Sequence, residues 1–280
     1  MVYRWLLYVL KCCQFRILPR DNLANFYAVA LFSPVKLLNQ EAFGLDKTQL
    51  MVLMTPVILF SLTVHEYSHG KIALLLGDNT AQRLGRLSFN PIRHLDITGV
   101  LFFYFVGFGW AKPVPVNWQN FQNPQRDMMY VAIAGPLSNI AMAVFCSFFI
   151  RLIPIDFSSL MAILNSSIPY TPQLIDYLFV ILAYGIWINV ALAVFNMLPI
   201  YPLDGSSVLK GMVPENVAER LTSVDKFGAI LILGVFLLDQ FANTGILGTI
   251  LVYPINYSVL FLSQETFPMI IEVLKASFSR

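Results

Sequence analysis

Along this chain, long apolar stretches are broken by short polar and proline-containing links. A spanning helix needs about 20 mostly apolar residues to cross a hydrocarbon core roughly 30 Å thick. Leu50 to Leu76, Met128 to Ile153 and Leu174 to about Leu198 meet that length. Phe227 to Leu238, continuing toward Phe241, and Ile246 to Leu262, crossed by Pro254, add two more candidates. Leu23 to Leu38 is a shorter candidate interrupted by Pro34 and Lys36. Ile97 to Trp110 is apolar but short, and it holds Gly99, Gly107 and Gly109. It reads as a re-entrant or interfacial element. The pattern predicts an all-α integral membrane protein, a polytopic bundle of about six spans with one re-entrant or extended hairpin element.

Composition points the same way. Charged residues make up 12% of the 280 and apolar residues 57%, against roughly 25% charged in a typical soluble domain. Too few charges remain to cover a soluble globule, so the expected solvent is lipid. The net charge of +2 is too small to suggest nucleic acid. The three cysteines, Cys12, Cys13 and Cys146, form no CxxC pair, which argues against a disulfide framework or a cysteine zinc knuckle. Arg4 interrupts the first apolar run, so the N-terminus does not read as a cleaved signal peptide.

The lysine and arginine bias sets an expected topology. Arg83, Arg86 and Arg93 lie in the Gly77–Asp96 loop, and Lys210, Arg220 and Lys226 in the Ser206–Lys226 loop. The Pro154–Gln173 loop has neither. The first two loops are expected in the cytoplasm and the third outside. With Arg4, Lys11, Arg16 and Arg20 also inside, Leu23–Leu38 must cross, which makes six spans. Gln264 to Arg280 reads as amphipathic and interfacial. The expected organisation is an N-terminal membrane-associated segment over 1–49, a catalytic membrane core over 50–210, and C-terminal spans with a tail over 211–280.

The chemistry centres on His65-Glu66-Tyr67-Ser68-His69. Residues four apart share a helix face, so both imidazoles can reach one ion, and Glu66 can bind and deprotonate a metal-bound water. This is the HExxH pattern of zinc proteases, with a chance occurrence on the order of one per cent in a chain of this size. Ionisable residues inside an apolar helix are costly and usually functional. The competing reading is a pair of hydrogen-bonded polar residues holding helices together. A catalytic zinc takes three protein ligands and keeps one position open. Asp204, in Asn196-Met-Leu-Pro199-Ile-Tyr-Pro202-Leu-Asp204-Gly205, is the candidate third ligand. The two prolines break the preceding helix, and Gly205 lets the chain turn. Alone, this reading stands level with an Asp capping a turn; beside HExxH, the ligand reading wins. His94 lies in a polar, arginine-containing loop and reads as a solvated or hydrogen-bonded loop residue. Trp110 to Asn117 alternates Pro and Val without helical period. It is either an extended edge for a substrate strand or a Pro-rich interfacial loop.

With these motifs in place, the chain resembles the site-2 proteases, in the compact form that lacks a PDZ domain. The likeness rests on the pentad, on Gly135-Pro136-Leu137-Ser138-Asn139, on the Asn196–Gly205 segment, and on the Arg86–Asp96 and Gly109–Asn117 stretches. It covers about Leu50 to Lys210. Ser206 stands where compact members often carry a second Gly. The resemblance implies that His65, His69 and Asp204 hold one Zn²⁺, that Glu66 is the catalytic acid/base, and that Asn139 faces the active site and assists substrate or intermediate binding. Asn196 is a candidate support for the broken helix or for Asp204. The implied reaction is hydrolysis of peptide bonds in or near transmembrane segments of a membrane-protein substrate within the lipid bilayer, in a bacterial inner membrane with the active site toward the cytoplasm. The alternatives from other classes are a zinc-binding membrane transporter and a non-catalytic membrane binding protein.

Overall fold

A computed structural model describes residues 47–106, 110–155, 173–242, 244–246, 248–267 and 269–271. The candidate span Leu23–Leu38, Cys12, Cys13 and most of the C-terminal tail lie outside the described residues. The described chain is helical, with one isolated antiparallel bridge, Leu95 to Ala111, and no strand among the described residues. The main helices are α1 (Lys47–Leu75), α2 (Ile97–Val106), α3 (Pro124–Ile150), α4 (Leu174–Asn196), α5 (Asp204–Met212), α6 (Glu215–Ala242) and α7 (Tyr253–Ser263).

Three of them, α3, α4 and α6 up to Asp239, are long and apolar enough to cross a membrane. At 29 residues α1 is long enough, but the polar pentad lies in its C-terminal half and lowers its mean hydropathy. The Ile97–Trp110 stretch forms α2, whose 10 residues span about 15 Å, half of a hydrocarbon core. The apolar run through Pro254 is continuous helix from Gly248 to Ser263. It begins as one wide π-helical turn over Gly248–Val252.

Helix α4 is the central column. Some 72% of its apolar window is buried inside the protein, against 17% for α6. A helix apolar all round and buried all round sits in a bundle centre. Its Phe179, Ala183, Tyr184, Ile186 and Val190 are fully enclosed. They share one core with Ile150 of α3 and Ile255 and Val259 of α7. Helix α3 packs most extensively, against α4, α1 and α5. Its outer face leaves Leu137, Val144, Phe145 and Phe148 exposed, as α6 does Ile230 and Leu231. Contiguous apolar surface of this size suits a lipid solvent.

Two buried carboxylates tie down the links. Asp78, just past α1, accepts from Thr80 N–H and Oγ1–H, from Asn117 N–H and from Asn120 Nδ2–H. Burial pushes its pKa up, but the hydrogen bonds from Thr80, Asn117 and Asn120 outweigh that and hold it below the ordinary carboxylate value. Asp239 accepts from Thr244 and from Ile246 N–H at the end of α6. Asp78 thereby fastens the 117–120 turn to the end of α1, and with it the stretch that runs back to the pentad.

Candidate metal centre

The pentad lies in the C-terminal half of α1, in continuous helix. The four-residue spacing brings the two imidazoles to a centroid separation of 4.6 Å with their planes at 87°. Each ring is fixed through Nδ1. His69 Nδ1–H donates to the Val131 carbonyl of α3 at 2.7 Å, a partner that can only accept. His65 Nδ1 lies 2.6 Å from Asn139 Oδ1. The Asn139 amide is oriented by its own donation, Nδ2–H to Asn189 Oδ1 at 2.8 Å. Asn189 Nδ2–H in turn donates to the Gly185 carbonyl at 2.8 Å. Both rings therefore carry their proton on Nδ1 when neutral, and both Nε2 atoms present lone pairs.

Those two Nε2 atoms lie 3.0 Å apart, and Asp204 closes the triangle. Its Oδ2 is 3.1 Å from His65 Nε2 and its Oδ1 is 3.4 Å from His69 Nε2. Asp204 is the first residue of α5. The preceding helix α4 ends at Asn196, and Pro199 and Pro202 carry the chain through turns. A Cβ on Gly205 would meet the Met197 carbonyl oxygen at 2.3 Å. The absence of a side chain there lets α5 start under the end of α4 and places Asp204 over the rings.

This donor set fits zinc. Three lone-pair donors converge where hydrogen bonding between them would be acceptor against acceptor, and Asp204 Oδ2 is buried without a hydrogen-bond partner among the described residues. The 3.0 Å between the two Nε2 atoms and the 3.1 Å from His65 Nε2 to Asp204 Oδ2 are close to the ~3.3 Å between neighbours on a tetrahedron with bonds of about 2.05 Å, and the other carboxylate oxygen lies 3.4 Å from His69 Nε2. Two imidazoles and one carboxylate leave one position open, as catalytic zinc sites do. It is the one such group among the described residues. Gly135 of α3 forms the wall against the rings. A Cβ there would lie 2.5 Å from His69 Nε2 and 2.6 Å from His65 Cε1.

The Glu66 Oε2 accepts from Val114 N–H at 2.8 Å. Trp110–Asn117 forms no helix, and its one regular contact is the bridge from Ala111 to Leu95. Three of its N–H groups donate to neighbouring parts of the protein. Lys112 N–H donates to the His94 carbonyl, Val114 to Glu66, and Asn117 to Asp78. Pro113 and Pro115 have no N–H to donate.

The remaining predicted residues sort as follows. Asn139 is fully buried and reaches the site through His65. Asn196 donates back to the Leu192 carbonyl of its own helix at 3.0 Å, away from Asp204. His94 is a hydrogen-bonded loop residue, Nε2 to the Ser88 carbonyl at 2.7 Å, and it is 2% exposed. The loop folds over it, so it is enclosed and not at a water interface. Two participants were not visible in the sequence pattern. Asn189 lies in a uniformly apolar helix with no motif around it, and the Val131 carbonyl is a backbone atom. A buried amide in a span was the only available signal for Asn189.

A histidine pair on one helix, a carboxylate from a broken second helix and an adjacent glutamate, all within an apolar bundle, define the class: an intramembrane zinc protease. The chain belongs to peptidase family M50, whose sequence profile matches residues 53–239. It is 35% identical over 189 residues to the protein of Bacillus subtilis (strain 168) named "Putative zinc metalloprotease YwhC", covering 67% of this chain and 81% of that one. No solved structure matches the chain.

Proposed function

We propose that His65, His69 and Asp204 hold one zinc ion and that the enzyme is an endopeptidase cutting peptide bonds in or near transmembrane segments of other membrane proteins. The observation that carries this is the convergence of three donor atoms within 4.8 Å of one another beside the Glu66 carboxylate. The bound ion would supply a water acidified toward neutrality and a polarised scissile carbonyl. Glu66 would serve as the base that accepts a proton from the attacking water and returns it to the leaving amine. Val114 N–H holds Glu66 Oε2, which fixes the carboxylate beside the pentad. Asn139 holds His65 from behind the ring. Its two polar atoms are engaged by His65 and Asn189.

The lipid-facing apolar surfaces of α3 and α6 support a substrate that arrives through the bilayer. The arginines of the 77–96 loop and the lysines of the 206–226 loop support a cytoplasmic site in a bacterial inner membrane. A spanning substrate has its backbone bonds satisfied internally, so it must unwind locally before cleavage.

Glu66→Gln is the test. Gln can still accept from Val114 N–H, so the fold and the metal ligands are kept. Cleavage of a model transmembrane substrate should fall by at least about 10²-fold, the scale of general base catalysis. Zinc content of the purified protein should stay at one per chain. Retained cleavage would refute the role of Glu66, and a zinc-free wild type would refute the metal assignment.

A further inference from the structure

Asn189 lies within α4, fully buried, and touches neither the metal-binding atoms nor Glu66. Its two polar atoms are both engaged, Nδ2–H to the Gly185 carbonyl one turn earlier and Oδ1 from Asn139 Nδ2–H. The Gly185 bond is local to the helix and fixes which end of the Asn189 amide faces Asn139. That end is the oxygen. An Asn139 amide facing an oxygen must present its nitrogen, so its own oxygen turns to His65. The orientation of one amide thus dictates the next, and the last of them dictates the tautomer of a ring.

We propose that Asn189 is a positioning residue for the metal centre. Acting through Asn139, it locks His65 in the tautomer protonated at Nδ1 and keeps the Nε2 lone pair free for the metal. This rests on the zinc reading given above.

The alternative state shows why a lock is needed. Asn can rotate its amide by half a turn with little change of shape, exchanging donor and acceptor. Were Asn139 reversed, its Nδ2–H would face His65 Nδ1. The ring would then answer with a lone pair on Nδ1 and its proton on Nε2. That proton would point at His69 Nε2, 3.0 Å away, and at Asp204 Oδ2, 3.1 Å away. It would be satisfied there, so the pocket itself favours the tautomer that cannot bind metal. Nothing else on the Asn139 amide opposes the reversal strongly. The Ser61 carbonyl is 3.5 Å from Nδ2, at the limit of a hydrogen bond. Asn189 Oδ1 supplies the opposing preference. His69 needs no such lock, since the Val131 carbonyl cannot be reversed. Partners of metal-bound histidines commonly change metal affinity about 10–100-fold when removed.

Asn189→Leu removes the acceptor at nearly constant volume, and Asn189→Asp keeps a carbonyl toward Asn139 because a buried carboxyl stays protonated and can donate to Gly185. Zinc affinity is measured by chelator competition on full-length protein in detergent, alongside ¹⁵N resonances of the histidine ring nitrogens in the metal-free protein. With three histidines in the chain, the resonances of His65 are assignable by a His65→Ala control. In metal-free wild type, His65 should be protonated at Nδ1. In Asn189→Leu it should shift toward Nε2 protonation, and zinc affinity should fall at least 10-fold. Asn189→Asp should stay within about 3-fold of wild type. In an Asn139→Ala background, Asn189→Leu should change zinc affinity by less than 3-fold, since the residue it acts through is gone.

An unchanged tautomer and affinity in a folded Asn189→Leu would overturn the proposal. So would an Asn189→Asp variant that folds but loses zinc as fully as Asn189→Leu. If Asn189→Leu fails to fold, the tautomer of the wild type and the affinity of Asn189→Asp decide alone. Failure of wild type itself to bind zinc would instead refute the metal centre and leave the tautomer measurement standing.

Discussion

Gly135→Ala sets two opposite effects against each other at one atom. Position 135 is interior to α3, where replacing Gly by Ala ordinarily stabilises a helix by about 1 kcal/mol. Here the new methyl would lie 2.5 Å from His69 Nε2 and 2.6 Å from both His65 Cε1 and His69 Cε1. An ordinary van der Waals contact begins near 3.4 Å, so each ring or α3 itself must retreat by about 0.8–0.9 Å. Inserting a methyl into a packed site costs typically 1–3 kcal/mol, which cancels or exceeds the helix gain. The larger effect is on the centre. Site geometry must hold to about 0.5 Å, and the forced shift exceeds that. We expect zinc affinity to fall at least about 10-fold and cleavage to fall with it, while thermal stability stays level or drops slightly. Chelator competition and a thermal melt in detergent read the two effects separately. A Gly135→Ala variant that binds zinc like wild type and melts higher would show that the wall against the rings is not where the structure places it.

Asp78→Ala leaves the donors of Thr80, Asn117 and Asn120 without their shared acceptor; hydrogen bonds to a charged group are worth about 1.5–3 kcal/mol, so a lower melting temperature is expected, with increased proteolysis in the 110–120 stretch. Because its folded pKa is depressed, the stability Asp78 contributes is fully present above the unfolded carboxylate value near 4. It is lost as pH falls through the lower folded value. Wild type should therefore lose melting temperature below pH 4 more steeply than Asp78→Asn, and parallel curves would contradict this. His94→Ala should leave zinc at one per chain while lowering stability by roughly 1–3 kcal/mol, since it orphans the Ser88 carbonyl inside a closed loop; loss of zinc would instead make His94 part of the site.

The sequence by itself determined what is local or periodic. The pentad places His65 and His69 on one helix face because 3.6 residues make a turn, and no tertiary contact alters that. Hydropathy alone located α3, α4 and the apolar half of α6, since lipid demands uninterrupted apolar helices; the polar first turns of α6, from Glu215, read as loop. The two prolines before Asp204 announced a broken helix end. Tertiary structure decided everything that depends on which atom faces which across helices. Asn139 illustrates this. As a residue of a recognised motif it reads as an active-site group aimed at substrate, yet its partner 74 positions away in sequence is His65, and its other partner is Asn189, 50 positions away. No spacing rule connects residues on three separate helices. The need for a bare Gly135 is equally invisible, because it arises only from two rings that another helix presses against it. Trp110–Asn117 shows the same division. Its lack of helical period was legible from alternating proline and valine, but the partners of its Lys112, Val114 and Asn117 N–H groups, the His94 carbonyl, Glu66 and Asp78, come from packing. Local chemistry named all three candidate ligands, and packing set Asp204 over the rings and supplied the amides that hold them toward it.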